Sequence, residues 1–543
     1  MAAFYSSAAL GAVALVLRAA PAGAHAFLRA LPPPTTSGDD LLDELEAALG
    51  IWHRKEIDAR LSEIEAAILP TYRALPKLSS GRLSAASSRY LLHRFFASTR
   101  NWYVRGFDNG GDAWDAASPT SVFQVQSSGH AGEIFERRLD GEGLSLRETA
   151  ALAATLESLA QEEDAARLCE AYRVAGVGDD GGHPDEAGVE AVVDAYMVMY
   201  MTRANSTQAT AKSIMPKAMS ETGEWFGYWP ATRRWIRDVR EDVASRSSAE
   251  RTSLEVTSQV VEDLTNKYGL HAHQECLQLK HRLAQIQQGE VGRVPLHKFY
   301  GSALNGSYEF SESKSYLRII GALDETDPLR PQVIIPNYVL APSNCMAGTH
   351  FYSVCCINEC DAILGKIEQQ VGGPYGRPRQ ISDLVEQLAS ATVAAPRTLP
   401  AALIERLEES VAQEGSGMVP LHGRLFSQWL HHAYPLECPF PHVSGGVSVE
   451  GRDRKIAHDV ETTLASEAEM REHCAAAQPA ADGGAAPWLP QEELFLEMPR
   501  PTPRRGRGVA FLALAVSMSW AMLRGVGGAA VSAARRRRKI RLL

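Results

Sequence analysis

The chain carries no excess of positive charge: 55 Lys and Arg face 65 Asp and Glu across 543 residues, a formal net charge of −10. Gripping a nucleic-acid backbone needs a concentrated basic face, so nucleic acid is excluded as the main partner. Several catalytic fingerprints are also missing. The sequence has no H-E-x-x-H, no P-loop, no G-x-G-x-x-G dinucleotide signature and no G-x-S-x-G, which excludes the chemistries that depend on those spacings. Ser311 to Lys314 fits S-x-x-K, but no K-T-G follows, and the segment reads as an exposed helical turn. Cysteine is scarce at eight residues, and apolar runs are confined to the two ends.

Those ends suggest an address. Ala8 to Leu17 is apolar and is followed by small residues ending in Ala24-His25-Ala26, the layout of a signal peptide over 1–26. A Phe straight after the A-x-A site also resembles the start of a bipartite plastid presequence, although the acidic stretch that follows argues against a transit peptide. Gly508 to Leu523 is uncharged, Arg524 interrupts, and the run resumes toward Val531. Crossing about 30 Å of hydrocarbon takes the whole of 508–531, with Arg524 snorkelling. Arg535 to Arg538, Lys539 and Arg541 make the C-terminal flank the more positive one, which places a basic tail (532–543) in the cytosol and the body in the lumen. The expectation is a single-pass type I protein of the endoplasmic reticulum or cell surface, with a complex-plastid membrane as the alternative.

Between the ends the periodicity is helical. Leu42, Leu45, Leu49, Trp52, Ile57, Leu61, Ile64 and Ile68 step by three and four, predicting one or two amphipathic helices that end before Pro70. The stretches from Ser145 and from Glu186 repeat the pattern. Trp225, Phe226, Tyr228, Trp229 and Trp235 form an aromatic cluster that reads as core. RPQVIIPNYVLAPSNC and HFYSVCC have strand character, and the prolines in the first suggest an edge strand or extended wall. From about Ala475 to Arg507 the chain becomes Ala/Gly/Pro-rich, and 446–507 reads as a flexible stalk.

One internal repeat stands out. GEVGRVPLHKFYGSAL (Gly289 to Leu304) and EGSGMVPLHGRLFSQWL (Glu414 to Leu430) align Gly292 with Gly417, and each follows a helical pattern. Helix, glycine turn, short strand and helix is the outline of an EF-hand, with glycine at loop position 6. Calcium ligands are largely absent. Positions 1, 3, 5 and 12 are Gln287, Gly289, Val291 and Lys298 in one loop and Ala412, Glu414, Ser416 and Gly423 in the other.

The densest chemistry is a Cys/His block. Five cysteines, Cys345, Cys355, Cys356, Cys360 and Cys438, lie in one window, and a luminal body favours disulfides. Adjacent Cys355 and Cys356 each need a distant partner, to be found among Cys345, Cys360, Cys438, Cys276, Cys169 and Cys474; the sequence does not choose the pairing. Cys345 with Cys360 is one option, closing a short loop. His431, His432, Cys438 and His442 form a candidate zinc or copper set only if a loop folds Cys438 and His442 back toward the histidines. A nucleophilic Cys355 or Cys356 served by His350 or His442 is the competing thiol reading. Asn205 and Asn305 head glycosylation sequons.

The blocks SYLRIIGALDETDP, FYSVCCINEC and VPLHGRLFSQWLHHAYPLECPFPHVSG resemble a family of uncharacterised secretory-pathway proteins from dinoflagellates and related algae, over roughly residues 250 to 445. The resemblance implies no activity and no site residues. The predicted fold is mainly α: a helical region (27–270), a Cys/His-rich region with two VPLH helix-turn-helix units (271–445), a small β or irregular disulfide-rich element, the stalk and a C-terminal transmembrane helix. The expected function is a membrane-anchored binding or scaffold protein for a protein, glycan or lipid partner, with no cofactor specified. A metal-dependent or thiol enzyme and a degenerate EF-hand protein with weak or no calcium binding are the alternatives.

Overall fold

The computed structural model describes residues 54–104, 129–177, 184–202, 229–305, 309–349, 351–414, 417–442, 463–476 and 488–496, together with Glu44 and Phe107. The expected signal peptide, membrane span and basic tail lie outside the described residues, as do Asn205 and Trp225 to Tyr228. Among the described residues no helix is long and apolar enough to cross a membrane. The protein is mainly helical with a few short sheets. Two compact units divide the chain: residues 1–69, 118–263 and 348–352, and the remainder.

In the first unit, α1 (Arg54–Ala74, the start of which belongs here), α3 (Gly129–Asp140), α4 (Leu146–Ala175), α5 (Glu186–Thr202) and α6 (Trp229–Arg246) supply the helices. Helix α1 corrects the sequence-based boundary, because it continues through Pro70. Leu61, Ile64 and Ile68 before the proline and Ala74 and Leu75 after it are all at most 1% exposed, and burying that stripe outweighs the roughly 3 kcal/mol a helical proline costs. Ser145 starts α4 with a reciprocal capping box to Glu148, whose carboxylate also takes the buried Arg138 guanidinium. Its small face, Ala150, Ala151, Ala153 and Ala154, is buried and lets α5 approach closely. Trp229 is buried at the start of α6 and Trp235 is half-buried.

The second unit is built on repeated helix-loop-strand-helix segments. Helix α2 (Ala85–Arg100) precedes strand β1 (Trp102–Val104). Helix α7 (Leu254–Ile286), the greater part of which lies in this unit, leads through Gly292 into β2 (Arg293–Pro295) and α8 (Leu296–Leu304). Helix α9 (Lys314–Ile319), capped by Ser313 of the S-x-x-K match, leads through β3 (Leu323–Asp324) and β4 (Gln332–Ile334) into α10 (Ile335–Val339). Strand β4 is the central strand of the order β2-β4-β3, not an edge, because Pro331 and Pro336 flank the ladder and leave its own three residues free to pair. Short strands β5 (Met346–Gly348) and β6 (Tyr352–Val354) follow.

A second pair repeats the design. Helix α11 (Glu359–Val371) leads to β7 (Tyr375–Gly376) and α12 (Pro378–Glu386); α13 (Ala401–Glu414) leads through Gly417 to β8 (Val419–Pro420) and α14 (Arg424–Ala433). Each VPLH strand therefore pairs with a different neighbour. Val294 sits opposite Val333, and Val419 opposite Gly376. The flanking bonds match between pairs: Ile335 N donates to Gly292 O, Leu296 N to Pro331 O, and Leu421 N to Pro374 O. Apolar side chains close each core, with Leu283, Phe299, Leu317 and Tyr338 in the first pair and Ile367, Ile381, Phe426 and Trp429 in the second.

The 446–507 stretch, read from composition as a stalk, holds two elements packed on this unit. Helix α15 (Glu467–Ala475) lies on α8 and buries Met470, while Ala465 N donates to Ser311 O and Ser313 N to Thr463 O. Residues 488–496 run extended beside His422 to Arg424 and bury Leu496. Composition marked these residues as coil, but their main-chain groups find partners on the body.

Gly292 and Gly417 share a positive φ, yet only Gly292 is crowded: a Cβ there would stand 2.3 Å from the Pro435 carbonyl oxygen, whereas at Gly417 nothing lies within 4 Å. A left-handed backbone costs an alanine about 1–2 kcal/mol at either site. Gly292→Ala should therefore depress the melting temperature well beyond Gly417→Ala. Equal shifts in parallel thermal melts would contradict the close approach.

Candidate functional site

The chemistry-bearing residues of the second unit gather in two buried charge clusters joined by cystines. The first centres on Glu368, which α11 carries on its inner face as a fully buried carboxylate. Arg94 Nη1 of α2 lies 2.5 Å from its Oε1, His422 Nε2 lies 2.8 Å from the same oxygen, and Thr71 Oγ1 donates to Oε2 at 3.2 Å. Burial alone would raise its pKa, but Arg94 and His422 hold the carboxyl below its usual range. Tyr90 packs edge-on against the His422 ring.

The second cluster centres on Arg293 of β2, which is 1% exposed. Its Nε reaches Asp324 at 2.9 Å and its Nη1 reaches Glu290 at 3.3 Å and His431 Nε2 at 3.1 Å. His431 Nδ1 lies 2.7 Å from the Cys438 carbonyl oxygen, a spacing met by a neutral ring that donates from Nδ1 and accepts from Arg293. Burial, with Arg293 close by, pushes its pKa down to about 3.

All five cysteines of the window are bridged. Cys345 joins Cys355, Cys276 joins Cys356 and Cys360 joins Cys438, so Cys345 does not take Cys360. Neighbouring Cys355 and Cys356 point to different partners, and Cys169 and Cys474 stay as thiols. A bridged sulfur offers neither a thiolate ligand nor a nucleophile. Cys355 and Cys356 are thus not placed as nucleophiles, and His350 lies outside the described residues.

The proposed metal set disperses on folding. The loop does bring Cys438 back to His431, but through its carbonyl oxygen, while its sulfur is held by Cys360. His432 turns to the Trp488 ring at 5.8 Å, and His442 Nε2 lies 2.6 Å from the Gly321 carbonyl oxygen. Among the described residues no three His, Cys, Asp or Glu side chains are grouped to hold a metal ion. Asn305 is exposed at the end of α8.

Sequence reasoning missed Arg94, Glu368, Arg293 and Asp324. A charged residue inside an apolar stripe was the available signal, as in RYLLHRFF around Arg94 and GRVPL around Arg293. No protein-family model, curated protein or solved structure matches the chain.

Two measurements follow. Glu368→Gln leaves Arg94 buried beside a neutral amide and should lose about 3–5 kcal/mol in urea unfolding, against less than about 1 kcal/mol for Glu325→Gln at the exposed Arg318 pair. Similar losses would contradict the burial. For His431 the folded pKa lies below the unfolded one, so the unfolded chain takes the proton first as pH falls. Its contribution to stability is full above about pH 6.5 and drains toward about pH 3, at up to about 1.4 kcal/mol per pH unit. His431→Asn should flatten the stability-pH slope across that window, and an unchanged slope would show that His431 does not titrate on unfolding.

Proposed function

We propose that the second unit is a non-catalytic binding scaffold made of two EF-hand-like pairs whose loops do not depend on calcium. The carrying observation is the strand pairing itself: Val294 opposite Val333 and Val419 opposite Gly376 set loop position 8 in all four segments. Gln287 at position 1 of the first loop accepts from the Gly292 amide at position 6, as a ligand-bearing loop would fold, but with an amide in place of a carboxylate. Counting from position 8, positions 1, 3, 5 and 12 of the other pair members are Thr326, Pro328, Arg330 and Asn337, and Gln369, Val371, Gly373 and Gln380. With the two VPLH loops, those sixteen places hold one carboxylate, Glu414, and two cations, Lys298 and Arg330. A hard divalent ion needs several oxygen anions, so this lining disfavours it.

In this reading the protein is held at a membrane of the secretory pathway by residues 508–531, with its body luminal. The three cystines suit that compartment, and exposed Asn305 is accessible to glycosylation. The partner is a protein, glycan or lipid met by the scaffold's surface.

Thermal melts of the full chain across a calcium titration test the scaffold. A ligand at 100 times its Kd adds about 2.7 kcal/mol to stability, so binding would register as a rise of several degrees. The expected result is a flat melting temperature up to millimolar calcium, and a saturable rise below that would overturn the reading.

A further inference from the structure

The segment 488–496 supplies what the VPLH unit at β8 lacks. Helix α14 begins at Gly423, which has no side chain to cap it. Glu492 fills that role from elsewhere in the chain: its Oε1 accepts from Leu425 N at 3.0 Å and occupies the space where a Cβ on Gly423 would sit. The segment also pairs as a strand. Gly423 bridges Leu494 in antiparallel register, Arg424 N donates to Glu493 O at 2.8 Å, and Phe495 N donates to His422 O at 3.0 Å.

Buried Arg424 completes the grip. Its Nε donates to Gln491 O at 2.6 Å, its Nη2 reaches the carbonyls of Gln491 and Leu489, and Gln428 Oε1 fixes Nη1 at 2.8 Å. Trp488 lies over the Arg406 guanidinium at 5.3 Å and beside His432, and Leu496 is buried at the other end. Main-chain bonds hold the backbone, and three side chains four residues apart, Trp488, Glu492 and Leu496, give the specificity. Such a division of labour is how extended peptides are recognised by strand addition.

We propose that the groove formed by His422 to Arg424, Arg406, Gln428 and His432 is a peptide-recognition site for an extended acidic-apolar segment of a partner protein, with the pattern Trp-x3-Glu-x3-Leu. The chain's own residues 488–496 occupy it in cis as a competing pseudo-ligand. The inference rests on the binding-scaffold reading and names its site and partner class. Charge complementarity favours this partner: Glu492 caps the N-terminus of α14, and Glu492 and Glu493 are the carboxylates that act on the Arg424 guanidinium, so a basic or neutral segment would lose those interactions. Leu489 and Leu494 remain exposed on the segment, and Ala/Gly/Pro-rich sequence borders it at 477–487. The occupant in place is a tethered one, which a partner displaces by exceeding the tether's effective concentration.

The test uses a fluorescent peptide of residues 487–497 and the full chain. A Trp488→Ala/Leu496→Asp double variant, checked for wild-type circular dichroism and a cooperative melt, should bind the peptide saturably and about tenfold or more tighter than wild type does. A peptide with Gln at the Glu492 position should bind the variant about fivefold or more weakly. No saturable binding to a folded variant, equal binding by wild type, or exchange of segments between copies into a dimer would each overturn the proposal. Hydrogen exchange on wild type gives a measurement that needs no variant: the Arg424 and Phe495 amides should exchange at least about tenfold faster than those of Leu430 and Tyr434. Exchange of all four together, only on global unfolding, would also overturn it. A flat calcium titration with no peptide binding would sink this inference and leave the scaffold reading intact.

Discussion

One buried carboxylate, that of Glu368, ties together three parts of the second unit that are distant in the chain. It takes Arg94 from α2, His422 from the β8–α14 turn and Thr71 from the end of α1, and α11 carries it into the core. An isolated carboxylate could not remain charged there, and an isolated guanidinium beside it would be equally unfavourable. The helices bearing these groups must therefore arrive together or not at all. Such a cluster adds little net stability over an apolar replacement, but it penalises every arrangement in which a partner is missing. Because His422 also accepts Phe495 N through its backbone, the cluster positions the edge on which residues 488–496 lie.

The cystines divide the work with these charges. Cys276 to Cys356 and Cys360 to Cys438 close loops of 80 and 78 residues, and on the chain-entropy model each restricts the unfolded state by about 4–5 kcal/mol. A calcium ion at 100 times its Kd would contribute about 2.7 kcal/mol to one loop. Paired loops with a single carboxylate, Glu414, at their ligand positions therefore have a stronger source of stability in covalent bonds than in a metal. Arg293 fits the same logic, since its guanidinium sits in the first loop as a fixed internal cation held by Asp324 and Glu290.

What the sequence made legible was local. Both VPLH units could be found because a glycine turn, a short apolar strand and a following helix write their signals within a dozen residues. Their pairing could not: β7 is Tyr375–Gly376, two residues with no alternation to read, and β4, whose strand character was legible, carries no mark of the strands it joins. The need for distant partners at Cys355 and Cys356 followed from their adjacency, but which partners depends on how α7, α11 and the Cys438 turn pack. The histidines looked like a cluster because they are close in sequence. Folding sends His431 to Arg293, His432 to Trp488 and His442 to Gly321, since each ring takes whichever polar or aromatic neighbour its own element faces.

The docked segment shows where composition misleads and why. Ala, Gly and Pro flank it, and periodicity has nothing to register in nine extended residues. Its attachment comes instead from a single buried arginine reading main-chain carbonyls, which any sequence offers, and from a carboxylate capping a helix that begins with glycine. Gly423 lacks the cap because Glu492 provides it. The two positions, 69 residues apart, complete one helix terminus between them, and neither carries that information alone.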